Sequence, residues 1–285
     1  IKEHANAVHL LCPEFRGRDP LARFRLFGPG RYIDVGANHP THGSVTRSLY
    51  ERGWRGINIE PVEHYYQALC AERSEDVTLC VAVGEAQGEL TFYEDRNTGL
   101  STLSEEMRDI QQATGVQFVP RRVQVSRLNS ICEQYLPASE PFHFLKIDVE
   151  GFEEQVLRGM DFARFRPWLV MLESPFNKRP AWESLILEAG YQYAYCDGIN
   201  WYYVAQEHPE LMPCFSIPPN ILDEFQLCHG HPLSYPVEDD RQLKSALADA
   251  NRRAEEAEAQ LTAMHSSRSW KLLHALAGIK RRFFR

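Results

Sequence analysis

An α/β fold with a mostly parallel sheet, a terminal antiparallel hairpin and an appended helix is what this sequence of 285 residues predicts. Three observations carry that reading. Residues 32–61 run from a short apolar segment through a glycine turn and a helical segment to a second apolar segment ending on an acid, the βαβ pattern of nucleotide-binding folds. Residues 143–151 (HFLKIDVEG) form a second buried strand that runs straight into acids, followed by a helical repeat at Phe152, Val156 and Leu157. Residues 191–195 and 200–205 are two strand-like runs joined by Cys196-Asp197-Gly198-Ile199, which is hairpin chemistry.

Residues 1–30 hold Pro13, Pro20 and Pro29 among scattered arginines, with a short helix or lid expected at 21–27. The first strand, 32–35, ends at Gly36-Ala37-Asn38, and a helix follows at 44–52. Gly36 lets the backbone turn sharply and lets a ligand approach where a Cβ would block it. Asp34 and Asn38 place short polar side chains beside that path. Glu60, with Pro61 after it, stands at the tip of the second strand (56–60), where a carboxylate accepts hydrogen bonds from both hydroxyls of a ribose.

An adenosine-containing ligand is therefore expected. A pyrophosphate needs a second glycine and a helix N-terminus against its phosphates, and Ala37-Asn38-His39-Pro40 supplies neither. The single-glycine turn suits S-adenosylmethionine. An NAD(P)-dependent oxidoreductase is the alternative enzyme reading, and an ordinary βα turn with a surface acid is the bland one.

Further along, a helix is expected at 62–73 and a strand at 78–83, after which Ala82, Val83 and the residues to Glu85 flank an adenine by fold analogy. A strand at 89–93 leads to the polar loop 97–103. There Ser101 is a candidate ligand residue, while Thr102 with Glu105 fits a capping box for the helix at 104–112. Residues 119–125 read as an edge strand and 128–135 as a helix. After the Asp148 strand come a helix at 152–159, an apolar strand at 168–173 ending on Glu173, and a helix at 181–189 closed by Gly190.

The motifs DVGAN (34–38), NIEP (58–61), TGLSTL (98–103) and LKIDVEGFEEQVLRG (145–159), in this order and at these spacings, resemble the FkbM-type family of S-adenosylmethionine-dependent O-methyltransferases. The longer run SVTRSLYERGWRGINIEP is similar to a branch of that family associated with bacterial polysaccharide and lipopolysaccharide assembly. The resemblance implies a Rossmann-like class I methyltransferase domain at 31–205 with a seven-stranded sheet. It also implies S-adenosylmethionine as cofactor, and as acceptor a sugar hydroxyl of a surface glycan or its lipid-linked precursor.

Methyl transfer to a sugar hydroxyl requires an acceptor held in line and help in removing its proton. The candidates are Asp148, Glu150 and Glu173 at strand tips and His39 and His42 in the loop after the first strand, with Asp148 first at the transfer centre and His39 second as base. Asp148 and Glu173 could share Mg²⁺, a hard cation for hard oxygen ligands, but the pair falls short of a full ligand set and Mg²⁺ is not expected. Cys214, Cys228, His229 and His231 lack a second pair at zinc-finger spacing and read as part of an irregular loop region, 206–237.

Seven cysteines without a C-x-x-C pair argue for reduced thiols and a cytoplasmic setting. No apolar run reaches the roughly 18 to 20 residues of a spanning helix. Residues 266–285 carry six Lys and Arg and no acid, so the net charge of −8 leaves −14 on the remainder, a poor match for a nucleic acid. Residues 238–285 form a helical tail. Leu243, Leu247, Ala250, Ala254, Ala257, Leu261 and Met264 make an alanine-heavy heptad seam, open between a coiled coil and a solvated helix. The end of the tail is basic and amphipathic, which suits an anionic membrane surface at its inner face or a partner such as a glycosyltransferase. A third function class follows from that tail: a non-catalytic scaffold of a glycan-assembly complex.

Overall fold

The strands form where apolar, β-branched and aromatic residues run together. A computed structural model describes residues 29–95, 99–137, 140–174, 179–216 and 240–270. In chain order the first part comprises β1 (Arg31–Val35), α1 (Arg47–Glu51), β2 (Arg55–Ile59), α2 (Glu63–Glu72), β3 (Val77–Leu79), β4 (Ala82–Val83) and β5 (Gly88–Glu94). Then follow α3 (Glu105–Ala113), β6 (Val119–Ser126), α4 (Leu128–Tyr135), β7 (Phe144–Ile147), α5 (Glu153–Arg158) and β8 (Leu169–Glu173). The last elements are α6 (Glu183–Glu188), β9 (Tyr191–Cys196), β10 (Asn200–Ala205), a 3₁₀ helix (Pro209–Phe215) and α7 (Asp240–Ser266).

Seven strands form one sheet in the order β3-β2-β1-β7-β8-β10-β9. β1, β2, β3, β7 and β8 are mutually parallel, and β10 runs antiparallel to both β8 and β9. The sheet is the α/β architecture the sequence predicts, hairpin included. Every residue of β7 and β10 is buried, as central strands covered on both faces require.

The chain builds outward from β1 through β2 to β3 and then crosses to β7 on the other side of β1. This reversal opens a crevice at the carboxyl ends of β1 and β7. Register aims it. Val35 pairs with both Ile59 and Ile147, so the next residues, Gly36, Glu60 and Asp148, leave the sheet at one level.

Three local expectations need correction. The strand expected at 78–83 is two strands: β3 stays in the main sheet, whereas β4 joins a second sheet of order β4-β6-β5. Nothing in the continuous run LCVAV marks the break, which is made by the partner strands. β6 is the centre of that small sheet, not an edge. It pairs with β5 along its length, but β4 covers only Val125 and Ser126, so the Pro120 end keeps one open side. Finally, the cap of α3 is Ser104, whose hydroxyl accepts the Met107 N–H at 3.2 Å. The Thr102 hydroxyl accepts from the Ser104 N–H at 2.8 Å and donates to the Glu150 carbonyl at 2.7 Å, a long-range bond that outcompetes local capping.

The chain divides into two units, Ile1–Gln226 and Leu227–Arg285. In the second, α7 is one helix of 27 residues with a bend at Ser267. Leu247, Leu261 and Met264 of the heptad seam are exposed. Among the described residues no helix is long and apolar enough to cross a membrane. The segment 21–27, the cluster Cys228, His229 and His231, and the basic residues after Trp270 lie outside the described residues.

Candidate active site

A cleft opens at the carboxyl ends of β1, β2, β4 and β7. Gly36, Asn38, Glu60, Pro61, Ala82, Val83, Ser101 and Asp148 all line it, joined by Val81, Phe92 and Leu103 as apolar walls. Apolar walls with a few convergent polar groups are the usual make-up of a small-molecule site.

The elbow at the end of β1 needs glycine twice over. Gly36 has φ +76°, and a Cβ there would lie 1.9 Å from the Asp148 carbonyl oxygen. The Gly36 and Ala37 N–H groups both donate to the Ile59 carbonyl, at 2.9 and 3.1 Å, which ties the elbow to the end of β2. Asn38 follows in the left-handed region at φ +51°. Its N–H donates to Glu60 Oε2 at 2.8 Å, and the Val62 N–H donates to Oε1 at 2.8 Å. Glu60 is 4% exposed, and burial pushes its carboxyl up to about 7 despite those two donors. Each oxygen keeps a further lone pair for a ligand hydroxyl.

Asp34 differs from its expected position. It is fully buried and outside the cleft lining, because register places it in a row with Asn58 and Lys146 across three strands. Its Oδ2 accepts from the Thr46 hydroxyl at 2.6 Å, and its Oδ1 lies 3.0 Å from Lys146 Nζ. Thr46 also accepts from buried Arg73, whose guanidinium reaches Asn58 and the Pro40 carbonyl as well. Asp34 therefore braces the loop after β1 from below.

Lys146 is the residue that motif reading passes over. Besides Asp34, its ammonium contacts Asp148 Oδ2 at 3.3 Å and donates to the Gly36 carbonyl at 2.7 Å. Burial alone would lower its pKa, but the carboxylates of Asp34 and Asp148 outweigh burial and hold it above the usual lysine value.

At the other end of the cleft, carboxylate oxygens of Asp148, Glu150 and Glu173 lie within 4.8 Å of one another. Asp148 and Glu150 line the cleft, and Glu173 adjoins them from the end of β8. Glu150 has φ +53° and Gly151 φ +91°. The loop is held from behind by Glu153, which accepts the Val149 and Gly151 N–H groups at 3.3 and 3.1 Å and is pushed up to about 7 by burial.

His39 stands outside the lining. Its Nδ1 accepts the Thr41 and His42 N–H groups, both at 3.1 Å, and its ring packs on His42 and Tyr65. That places the proton of the neutral ring on Nε2 and leaves it a poor base for an acceptor in the cleft. Burial, then His42, lowers its pKa. Ser101 lines the cleft, but its hydroxyl bridges the N–H and carbonyl of Asp95 at 3.0 and 3.2 Å.

Glycine elbow, acid-tipped second strand and a cleft at the switch point are features shared by α/β folds that bind adenosine-bearing ligands. Residues 34–193, more than half of the chain, match the Methyltransferase FkbM domain family. The chain belongs to that family of S-adenosylmethionine-dependent methyltransferases. A search of curated proteins returns no match. Among solved structures the chain is similar to methyltransferase FkbM from Methylobacillus flagellatus KT, with 15% identity and TM-score 0.38 over 70% of this chain; it spans about half (52%) of that one. It is also similar to the bifunctional kinase-methyltransferase WbdD (13% identity, TM-score 0.38, 70% of this chain and 39% of that one). A third is a TehB-like SAM-dependent methyltransferase from Corynebacterium glutamicum (7%, TM-score 0.34, 65% and 86%).

Proposed function

We propose that this chain is an O-methyltransferase acting on a sugar hydroxyl of a bacterial surface glycan or its lipid-linked precursor. The observation that carries the enzyme reading is the shared register at Val35, which delivers Gly36, Glu60 and Asp148 to one cleft. The residues fit S-adenosylmethionine: each oxygen of Glu60 keeps a lone pair for a ribose hydroxyl, and Val83 and Phe92 offer apolar walls for a planar base. When bound, S-adenosylmethionine supplies the electrophilic methyl group.

The chain's own residues bind, orient and deprotonate. Asp148, at the tip of β7, accepts the hydrogen bond of the acceptor hydroxyl and takes its proton. Glu150 and Glu173 accept from neighbouring hydroxyls, which favours a polyhydroxylated acceptor over an anionic one. The bacterial-glycan class rests on the resemblance of the run SVTRSLYERGWRGINIEP. The same reading makes the helical tail an attachment to a glycosyltransferase or to the inner face of a membrane.

Calorimetric titration with S-adenosylmethionine and S-adenosylhomocysteine tests the cofactor. Both are expected to bind, and Glu60→Ala is expected to abolish the heat; binding of NADH instead would favour the oxidoreductase. A labelled-methyl assay against lipid-linked glycan intermediates tests the acceptor. There Asp148→Asn is expected to slow transfer by about 10²-fold or more. An unimpaired variant would remove Asp148 from the chemistry.

A further inference from the structure

Lys146 lies where three parts of the site meet. Its three ammonium contacts, to the Gly36 carbonyl at 2.7 Å, Asp34 at 3.0 Å and Asp148 at 3.3 Å, match the three protons it has to give. Gly36 and Asp148 face the cleft, whereas Asp34 lies behind it, so the positive charge is nearer the ligand than its deepest partner. Around it the rim is acidic, with oxygens of Glu150 and Glu173 within 4.8 Å of those of Asp148. A rim of that kind grips a cationic ligand harder than a neutral one of the same shape. An ammonium set just behind it narrows the difference.

We propose that Lys146 is a positioning residue: it locks the Gly36 carbonyl and the Asp148 carboxylate in place and sets how strongly the cleft prefers the cationic sulfur of the cofactor over the neutral sulfur of the demethylated product. This rests on the methyltransferase reading above. The balance matters because turnover requires the product to leave and fresh cofactor to replace it. A unit charge about 10 Å away, in an effective dielectric of roughly 20 to 40, changes the affinity of a charged ligand by about four- to sixteenfold and leaves a neutral one nearly unaffected.

The test is the ratio of two dissociation constants, for S-adenosylmethionine and S-adenosylhomocysteine, measured calorimetrically on the full chain. Asp34→Asn leaves the ammonium less neutralised, so the cofactor is expected to weaken relative to the product by about four- to sixteenfold. Adding Lys146→Met removes the ammonium without stranding a buried carboxylate, and the ratio is expected to return to the original value or pass it. A ratio that stays constant while both ligands weaken alike, or that moves the other way in Asp34→Asn, overturns the role and leaves Lys146 a packing element. If the double variant does not fold, the Asp34→Asn ratio decides alone. If the unaltered protein binds neither ligand, the methyltransferase reading falls and this inference with it.

Discussion

The two ends of the cleft are built by opposite means. At the Gly36–Glu60 end, main-chain groups do the work: a carboxylate held by two backbone N–H groups, and an elbow pinned to the Ile59 carbonyl. At the Asp148–Glu150–Glu173 end, side chains of one sign crowd together beside a buried ammonium. A backbone-built end specifies one ligand shape and tolerates little change. An end built of side chains specifies charge, and can be altered for a new acceptor without disturbing the strands beneath it.

The largest effect that would break this contrast is expected at the elbow. Gly36→Ala forces a Cβ against the Asp148 carbonyl at a positive φ, so a loss of about 3 kcal/mol or more and of all cofactor binding is expected, read by thermal unfolding and calorimetry. Next comes pH. Because burial raises Glu60 to about 7, cofactor affinity should climb with pH by up to about tenfold per unit below 7 and level off above it, a slope that Glu60→Gln should flatten. Stability of the free protein should run the other way. Glu60 and Glu153, both raised from 4.5 to about 7, favour the folded state most below pH 4.5 and lose that contribution as pH rises through 7. A melting temperature that rose across that window would contradict their burial. The smallest effect is Thr102→Val, expected to cost about 1 kcal/mol by removing the tether to the Glu150 carbonyl while the Ser104 cap survives.

The parts that the sequence announced are those decided locally. β1, β2 and β7 are short, mostly apolar runs followed at once by Gly36, Glu60 and Asp148, and β8 ends on Glu173, so strand, turn and acid are visible together. What is not legible locally depends on partners far along the chain. β4 leaves the main sheet to pair with β6, more than forty residues later, and Thr102 gives its hydroxyl to a carbonyl 48 residues away. Asp34 is legible as part of the motif but not its direction, which is fixed by the cross-strand row it shares with Asn58 and Lys146. Lys146 carries a signal of its own: a lysine inside the buried run FLKI is tolerated only when carboxylates compensate it, although which carboxylates do so is fixed by the pairing of β7 with β1.

Asn38 and Glu150 both line the cleft, each a non-glycine residue with a left-handed backbone, each next to or near a glycine that shares the conformation. Glycine in either place would relax the main chain, yet it would also widen the range of shapes the loop can visit. The rest of the domain thus spends part of its folding energy on narrowness, and a sturdier version of this protein with looser turns would be a worse host for its ligand.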